Sequence, residues 1–300
     1  MNTRTLFNLV LTVVALLLLL VVFYRPGLEP EPLAPPITTI PADSISSIRV
    51  TRKERTPQTF TKSPSGWQLE NKQDLPASKF QLRALLGILA MRSARSYPSS
   101  ALDLGNAGLE PPQATLLLND TLLYIGGTEP LEHKRYVQYE DTVYLVTDTY
   151  QHLINADWTN FVDRRLLPES AELTTVQLPG LTLTLGNDRQ WQLSPENPDA
   201  DDMAIKALVA QWQTANALYI RRHDGTATPG SITLKYAENS ETVTLHIIEQ
   251  EGEFVLARPD WGIQYHFPGN MQKTMLSLQA AETKVDAVTH EQEGPFRPSP

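Results

Sequence analysis

The six histidines are the side chains of this sequence best suited to holding a metal ion or moving a proton: His133, His152, His223, His246, His266 and His290. None of them forms a His-x-His or His-x-x-x-His pair, the spacings that most often put two imidazoles on one metal ion. His246 and His266 are predicted on neighbouring strands, so folding could still bring them together. Both lie in alternating strand patterns, where an outward-facing histidine is the ordinary case. We therefore expect no metal site and no other cofactor.

Acidic, serine and glycine motifs give no support for catalysis. Asp199, Asp201 and Asp202 lack the glycine and the distal glutamate of an EF-hand loop, and they stand where a helix would begin and would favour its dipole. No serine lies in a Gly-x-Ser-x-Gly elbow, and Gly126-Gly127 is not followed by a lysine or by a glycine-rich helix start that could cradle phosphate. Carboxylate pairs that meet only in the fold, as in glycosidases, stay open. We predict that the protein is not an enzyme.

Two further groups of residues could bind a ligand or a partner. Trp67 and Trp191 each begin a Trp-Gln-Leu triplet, and stacking of a ligand on their rings is one interpretation. Because the triplets recur at matching places, core packing is the favoured interpretation. Asp163, Arg164 and Arg165 could form ion pairs that fix the two halves of the chain, or could contact a partner protein. These three residues are the candidate partner contact.

Composition limits the classes of function. The net charge of −9 argues against nucleic acid as a partner, because phosphates require a basic face. The charge is uneven: residues 44–100 carry ten Lys and Arg against three Asp and Glu, whereas residues 101–300 carry thirteen against twenty-eight. Chance clustering explains this, and so does a docking patch for an acidic partner or for lipid headgroups. The chain has no cysteine, which excludes disulfides, thiolate metal sites and cysteine nucleophiles.

A long repeat organises the chain. The stretch from Gly66 to Tyr97 returns between Trp191 and Tyr219, with matching triplets followed by a helical pattern. Each half reads as three strands, a helix, four strands and a closing helix. The sequence therefore predicts an α+β fold class: two tandem similar domains, each an antiparallel sheet with a helix packed on one face, after a single N-terminal transmembrane helix.

The beginning of the chain predicts a membrane anchor. Leu6 to Phe23 is 18 residues without a charge, near the length that crosses a bilayer, and Arg4 before it favours a cytoplasmic N-terminus. A cleaved signal peptide would have a shorter apolar core and a cleavage site. Six prolines follow and predict a spacer, with a polyproline ligand as the alternative. The predicted segments are a transmembrane signal anchor at 1–25, a Pro-rich stalk at 26–43, the first repeat at 44–157, an inter-repeat linker at 158–170, the second repeat at 171–281 and a disordered tail at 282–300.

Several pieces, in this order and spacing, resemble the bacterial domain of unknown function 4340 family over roughly residues 44–280. They are Gly66-Trp67-Gln68-Leu69, Gly108-Leu109-Glu110-Pro111-Pro112, Leu123-Tyr124-Ile125-Gly126, Arg135-Tyr136-Val137 and Phe161-Val162-Asp163-Arg164-Arg165-Leu166-Leu167. The resemblance implies an extracytoplasmic auxiliary component, since members of that family are often associated with bacterial ABC export systems, including gliding-motility-type ones. It brings no catalytic residues.

The expected function is that of a membrane-anchored, extracytoplasmic, non-enzymatic accessory or scaffold protein of an ABC-type transport complex. The expected partners are the membrane itself and a membrane protein such as an ABC permease, with no nucleic acid. The expected location is the bacterial inner membrane, single-pass, with the bulk of the chain in the periplasm. The alternative is an extracytoplasmic ligand-binding or sensor module that uses the groove between the two repeats.

Overall fold

The computed structural model describes residues 3–24, 34–70, 74–198, 200–223, 225, 230–236 and 242–278. Its first element is helix α1 (Thr3–Tyr24). Among the described residues, α1 is long enough and apolar enough to cross a membrane over Thr3–Val22. Both a membrane anchor and a signal sequence would have these properties. At a rise of about 1.5 Å per residue, the 20 residues Thr3–Val22 span about 30 Å, which is the thickness of the hydrocarbon core of a bilayer.

The first sheet joins nine strands in the order β4-β3-β2-β1-β6-β7-β8-β9-β5. Neighbouring strands with a described register are antiparallel, as in the β1–β2, β2–β3, β7–β8, β8–β9 and β5–β9 pairs. The strands are β1 (Ser47–Arg52), β2 (Arg55–Ser63), β3 (Gly66–Leu69), β4 (Leu75–Pro76), β5 (Ser96–Pro98), β6 (Ala114–Leu118), β7 (Thr121–Thr128), β8 (Arg135–Tyr139) and β9 (Thr142–Val146). Helix α2 (Lys79–Leu86) lies between β4 and β5, and the short helix α3 (Gln151–Ile154) follows β9.

The second sheet joins eight strands in the order β12-β11-β10-β14-β15-β16-β17-β13, and its described pairs are antiparallel. The strands are β10 (Leu173–Leu178), β11 (Leu181–Leu185), β12 (Trp191–Ser194), β13 (Tyr219–Arg222), β14 (Gly230–Tyr236), β15 (Thr242–Gln250), β16 (Glu253–Arg258) and β17 (Ile263–Pro268). Helix α4 (Asp202–Gln213) lies between β12 and β13, and helix α5 (Met271–Leu276) follows β17. Antiparallel sheets with few helices and an apolar N-terminal helix agree with the predicted α+β class.

The strand orders of the two sheets correspond position by position. Without β4, the first sheet reads β3-β2-β1-β6-β7-β8-β9-β5, and the second sheet reads β12-β11-β10-β14-β15-β16-β17-β13. In both sheets the strand that follows the helix pairs with the last strand of the run and forms one edge. The sequence missed these edge strands, β5 and β13, and also β4.

Helices α2 and α4 each bury one face. On α2 and just after it, Leu82, Leu85, Leu86 and Leu89 are buried, and the Gln81 N–H donates to Oγ of Ser78, the residue before the helix, at 3.4 Å. On α4, Ile205, Leu208, Val209 and Trp212 are buried. The Met203 N–H donates to the Asp201 carboxylate at 3.2 Å, so Asp201 caps α4 as predicted. Helix α4 packs on β10, β12 and α5.

The prediction that Trp67 and Trp191 are core anchors is wrong. Both rings are only half-buried, although each lies on the core-facing side of its sheet. Trp67 pairs across the strands with Lys62, and Trp191 pairs with Leu185. Each of these pairs lies beyond the fully buried part of its sheet, so the strand alternation is right but the depth is not. The deeply buried tryptophan is Trp212, whose indole N–H donates to the Met275 carbonyl at 2.9 Å.

Packing divides the chain into two compact units, each of which is discontinuous in sequence. One consists of residues 1–44, 86–116 and 121–149, and the other of residues 45–85, 117–120 and 150–300. The predicted limits of the repeats, 44–157 and 171–281, group the chain by sequence similarity instead, and they stay a prediction.

The described end of the segment predicted as a stalk is packed against the first unit. Ile37 is buried and its N–H donates to the Met91 carbonyl at 2.8 Å, and the Thr38 hydroxyl donates to the Leu89 carbonyl at 3.1 Å. The prediction of a free spacer therefore applies to the residues before Ala34. Parts of the sequence that carried predictions but lie outside the described residues are 25–33, Asp199, the tail at 282–300 and His290.

Candidate functional site

Two members of the predicted partner contact pair with each other. The Arg165 guanidinium donates from Nη2 to Asp163 Oδ2 at 2.8 Å and from Nη1 to Glu169 Oε2 at 2.9 Å. The hydrogen bond to Asp163, opposed by burial and supported by Glu169, raises the pKa of Arg165. Since Arg165 and Glu169 are exposed, these ion pairs contribute little to stability. They hold the linker backbone locally.

Arg164 differs from its neighbours because its side chain is exposed and forms no ion pair with the residues that the structure describes. Its backbone is fixed: the Ala217 N–H donates to the Arg164 carbonyl at 2.9 Å, and the Asp163 N–H donates to the Pro76 carbonyl at 2.8 Å. Of the three predicted residues, Arg164 thus presents a cation on a fixed backbone, an arrangement that suits contact with an acidic group.

Arginines hold the chain just before the linker. Arg52 of β1 donates from Nη1 to the carbonyls of Ile154 and Ala156, at 3.0 and 2.7 Å. Burial, together with the charge of neighbouring Arg55 and despite that of Asp157, lowers the pKa of Arg52. These carbonyls lie at and after the end of α3, where a cation is favourable. These hydrogen bonds hold the chain after α3 to β1, and the suggested role of Asp163 and Arg165 in fixing the two halves stays a prediction.

Asp157 receives an arginine from the second sheet. The Arg222 guanidinium donates to both Asp157 carboxylate oxygens and lies 5.7 Å from the Trp158 ring centroid. Burial raises the pKa of Asp157, but hydrogen bonds from Arg222 and Thr159 outweigh it, and the net pKa lies below the usual range. Asp157 is therefore an ionised acceptor at neutral pH.

A hydrogen-bonded group with three titratable side chains lies on β13, β16 and β17, and we refer to Tyr219, Glu253, Gln264 and His266 as the His266 cluster. His266 is fully buried, and its Nδ1 lies 2.7 Å from Glu253 Oε2. The Tyr219 hydroxyl donates to Glu253 Oε1 at 2.6 Å, and its ring stacks on the imidazole at 4.4 Å between centroids. Gln264 Nε2 lies 3.0 Å from His266 Nε2. With Gln264 as donor, His266 carries its proton on Nδ1 and donates it to Glu253.

The electrostatics of the His266 cluster are those of a closed network. Hydrogen bonds from Tyr219 first and from His266 second lower the pKa of Glu253, and the bond to Glu253 in turn raises the pKa of Tyr219. Each oxygen of Glu253 has a donor, and both imidazole nitrogens have partners. Since the imidazole has no exposed surface, the cluster ties the edge strand β13 to β16 and β17 and presents no proton to solvent through His266.

The histidine interpretation needs two corrections. The expectation that His266 faces outward is wrong, because the face of β17 that carries it is also covered. His246 lies on β15, which β16 separates from β17, so the two histidines are not on neighbouring strands. His133 and His152 are exposed, and His223 is half-buried. Within the described residues, no group of three His, Cys, Asp or Glu could hold a metal ion.

The model of a family described as Domain of unknown function (DUF4340) matches residues 67–227, more than half of the chain. The chain belongs to the DUF4340 family. No curated protein and no solved structure matches it.

Two of the pieces that carried the resemblance to the DUF4340 family meet at Arg135, in the first unit. The buried Arg135 guanidinium donates to Asp148 Oδ2 from Nε and Nη2, at 2.9 and 2.7 Å, and to the Gly126 carbonyl at 2.7 Å. It also donates to Thr128 Oγ1 at 3.1 Å and to Gln113 Oε1 at 3.3 Å. Arg135 therefore closes the irregular end of β7, where the pairing with β8 shifts register.

Glycines allow the loop before β6 to approach β7. A Cβ on Gly126 would lie 2.5 Å from the Ala107 carbonyl oxygen. A Cβ on Gly108, whose φ is +66°, would lie 2.9 Å from the Gly127 nitrogen. The Gly127 N–H donates to the Ala107 carbonyl at 2.7 Å. In this DUF4340 chain the double glycine thus serves backbone packing.

The His266 cluster could not be found from the sequence because its members come from three strands, one of which was missed. The repeat supplies a further comparison. The first-sheet strands that correspond to β16 and β17 are β8 and β9, and these contain no acidic residue and no histidine. The cluster is therefore not a requirement of the strand order that the two sheets share.

Proposed function

We propose that this DUF4340 protein is a membrane-anchored accessory or scaffold protein without a catalytic centre. The observation that carries the proposal is the state of α1. Every large apolar side chain from Leu6 to Val22 is at least 48% exposed, whereas the core helix of a soluble protein buries such residues. An apolar helix of spanning length that is not buried among the described residues is well suited to a bilayer.

The proposed orientation places the body of the protein outside the cytoplasm. Arg4 precedes the apolar run, and basic residues favour the cytoplasmic side. An uncleaved signal anchor in the bacterial inner membrane, with the N-terminus in the cytoplasm and both sheets in the periplasm, follows from this rule. A reporter active only in the periplasm, fused after Pro300, should be active, and activity of a cytoplasm-only reporter at that point would contradict the orientation.

The body is proposed to consist of two tandem similar domains, one for each sheet. The shared strand order and the Trp-Gln-Leu triplets in β3 and β12 support a duplication. A duplicated body presents two sheets of the same strand order, which suits a scaffold. The polar groups support the same role. Within each of three groups, the side chains form hydrogen bonds with one another: the His266 cluster, the Arg135 group and the Asp163–Arg165 pair.

The proposed partner is a membrane protein of an ABC-type transport complex, such as its permease. The association of family members with ABC export systems supports this choice by analogy, and the exposed Arg164 is the proposed point of contact. Purification of the tagged full chain from detergent-solubilised membranes, followed by mass spectrometry, tests the proposal. A permease should be recovered with the wild type, and recovery of the chain alone would contradict it.

Two variants locate the contact. Arg164→Glu should lose the partner while the fold is retained, because the Arg164 side chain forms no ion pair within the described residues and only its backbone is used. Lys235→Glu is the matched control, since Lys235 is an exposed cation on β14. Equal recovery of the partner with both variants would exclude Arg164 as the contact.

A further inference from the structure

Helix α2 carries an exposed aromatic residue between exposed cations, and we call Lys79, Phe80 and Arg83 the α2 patch. Phe80 is 79% exposed, although the other side of the same helix buries its leucines. Phe80 and Arg83 are three residues apart, so they are neighbours on the helix surface. The Phe80 ring leaves a large apolar surface in contact with water, and burying that surface against an apolar medium would be favourable.

A second aromatic and a further cation adjoin the start of α2. The Ala77 N–H donates to the Trp67 carbonyl at 2.7 Å, and Lys62 lies opposite Trp67 on the neighbouring strand. Trp67 is half-buried and Lys62 is exposed. Aromatic rings together with Lys and Arg are the side chains that favour the headgroup region of a bilayer.

The segment that contains the α2 patch is basic. Lys79 and Arg83 are exposed, and neither forms an ion pair with any acidic residue that the structure describes. Residues 44–100 carry ten Lys and Arg against three Asp and Glu. This part of the protein therefore complements an anionic surface.

The corresponding helix of the second sheet provides a comparison. On α4, Met203 is 68% exposed and Lys206 follows three residues later, which repeats the spacing of Phe80 and Arg83. However, Asp201 and Asp202 begin that helix, where α2 has Ser78 and Lys79. The position of an exposed apolar residue thus recurs, but the charge around it is reversed, and α4 serves as an internal control.

The segment between α1 and Ala34, which we call the tether, keeps the folded part of the protein close to the membrane surface. Ten residue steps separate Tyr24, the last residue of α1, from Ala34, the first described residue of the body. Even a fully extended chain of that length spans at most about 35 Å. A short linker gives an effective concentration of the order of millimolar, so a weak contact suffices. This step rests on the proposed anchoring by α1.

We propose that the α2 patch docks on the anionic phospholipid headgroups of the membrane that α1 spans. Phe80 enters the headgroup and acyl boundary, Lys79 and Arg83 pair with headgroup phosphates, and Lys62 and Trp67 extend the contact. Each cation near an anionic bilayer changes the binding constant by about fivefold. Neutralising both cations of the patch should therefore reduce the docked-to-free ratio by about 25-fold.

The absence of cysteine allows a test on the full chain. Ala84 lies one turn after Phe80 on α2, and Ala207 lies one turn after Met203 on α4. Single variants Ala84→Cys and Ala207→Cys, labelled with an environment-sensitive fluorophore, are reconstituted into nanodiscs with spin-labelled headgroups. The discs contain phosphatidylglycerol with phosphatidylcholine, or phosphatidylcholine alone. Retention of the chain in the discs after detergent removal is measured first.

The label at position 84 should be quenched in the anionic discs, less in neutral discs and less at high salt, whereas the label at position 207 should not respond. Lys79→Gln with Arg83→Gln should abolish the quenching, and Phe80→Ser should reduce it. Unchanged circular dichroism shows that these surface variants are folded. If the chain is retained in the discs but the label at position 84 is not quenched, the docking proposal is wrong and the anchoring proposal stands. The α2 patch would then contact an acidic protein or remain exposed to solvent. Quenching at both positions, or quenching that the Gln variants do not change, would overturn it too. Loss of the chain from the discs would overturn the anchoring and the docking together.

Discussion

Arg135 should contribute more to stability than any other arginine that the structure describes. Its guanidinium side chain is 9% exposed and donates to a carboxylate, a main-chain carbonyl, a hydroxyl and an amide oxygen. In Arg135→Met the side chain keeps its apolar length, but the Gly126 carbonyl and the Asp148 carboxylate lose their donors. Breaking a buried ion pair costs about 3–5 kcal/mol. Because the Asp148 side chain is 24% exposed, water replaces part of the loss, and we expect about 3 kcal/mol.

Thermal and urea unfolding of the full chain, followed by far-ultraviolet circular dichroism, measures this loss. About 3 kcal/mol corresponds to a decrease in Tm of about 6–12 °C for a protein of this size. Arg135→Lys keeps the charge but not the forked geometry and should fall between the wild type and Arg135→Met. Arg165→Met is the matched control, since Arg165 also has two ion-pair contacts but a side chain that is 42% exposed. It should lose less than about 1 kcal/mol.

Two outcomes would refute the reasoning about Arg135. The first is a loss below about 1 kcal/mol in Arg135→Met, equal to that of Arg165→Met, which would mean that burial does not strengthen the pair. The second comes from a double-mutant cycle of Arg135→Met with Asp148→Asn. A coupling near zero would show that the carboxylate is not the main partner of the guanidinium.

Three further predictions use other parts of the protein. Gly126→Ala should destabilise by more than about 1 kcal/mol, because its Cβ would lie 2.5 Å from the Ala107 carbonyl oxygen; a Tm equal to that of the wild type would contradict the close approach. The lowered pKa of Glu253 makes a contribution to stability that is present above its ordinary pKa of about 4.3 and lost as the pH falls through the folded-state value. Wild type and Glu253→Gln should therefore differ at pH 7 and converge in acid, and curves that stay parallel would exclude this role. Trp212→Ala should lower the free energy of unfolding by about 3–5 kcal/mol and Trp67→Ala by less than about 2 kcal/mol, since of these two only Trp212 is fully buried. Equal losses of stability would show that Trp67 contributes to a core as much as Trp212 does.

The sequence predicts the strands whose pattern is local. Strands β6, β8, β9, β10 and β11 begin and end where alternating apolar residues and turn residues indicated. Strands β5 and β13 were missed because they are three and four residues long and lie at sheet edges. Their hydrogen bonds go to β9 and β17, more than forty residues later. A sequence window of ten residues therefore cannot reveal the partner strand.

Burial depth was the other quantity that the sequence could not supply. Alternation predicts that Trp67 and Trp191 lie on the core-facing side, but it does not predict how far each strand extends beyond the core. Alternation also placed His266 on the side opposite Tyr265, and that side was expected to face solvent. Both faces of β17 are covered, so the histidine needs a partner, and Glu253 supplies it from the neighbouring strand. The tertiary covering of each face decides this, and it is not written in either strand alone.

The repeat allows residues required by the shared architecture to be separated from residues specific to one sheet. Trp-Gln-Leu stands in both β3 and β12, and each of these strands pairs with the strand that precedes it, so its role belongs to the architecture. The His266 cluster has no counterpart in β8 and β9, and Lys79 of α2 is replaced by Asp202 at the start of α4. Equal strand order combined with the different charges at α2 and α4 means that these two helices cannot favour the same surface. The basic segment 44–100, which contains α2, suits an anionic bilayer, and the acidic segment 101–300, which contains α4, is repelled by it. The charge difference between these two segments is therefore the property that would orient a tethered protein on its membrane.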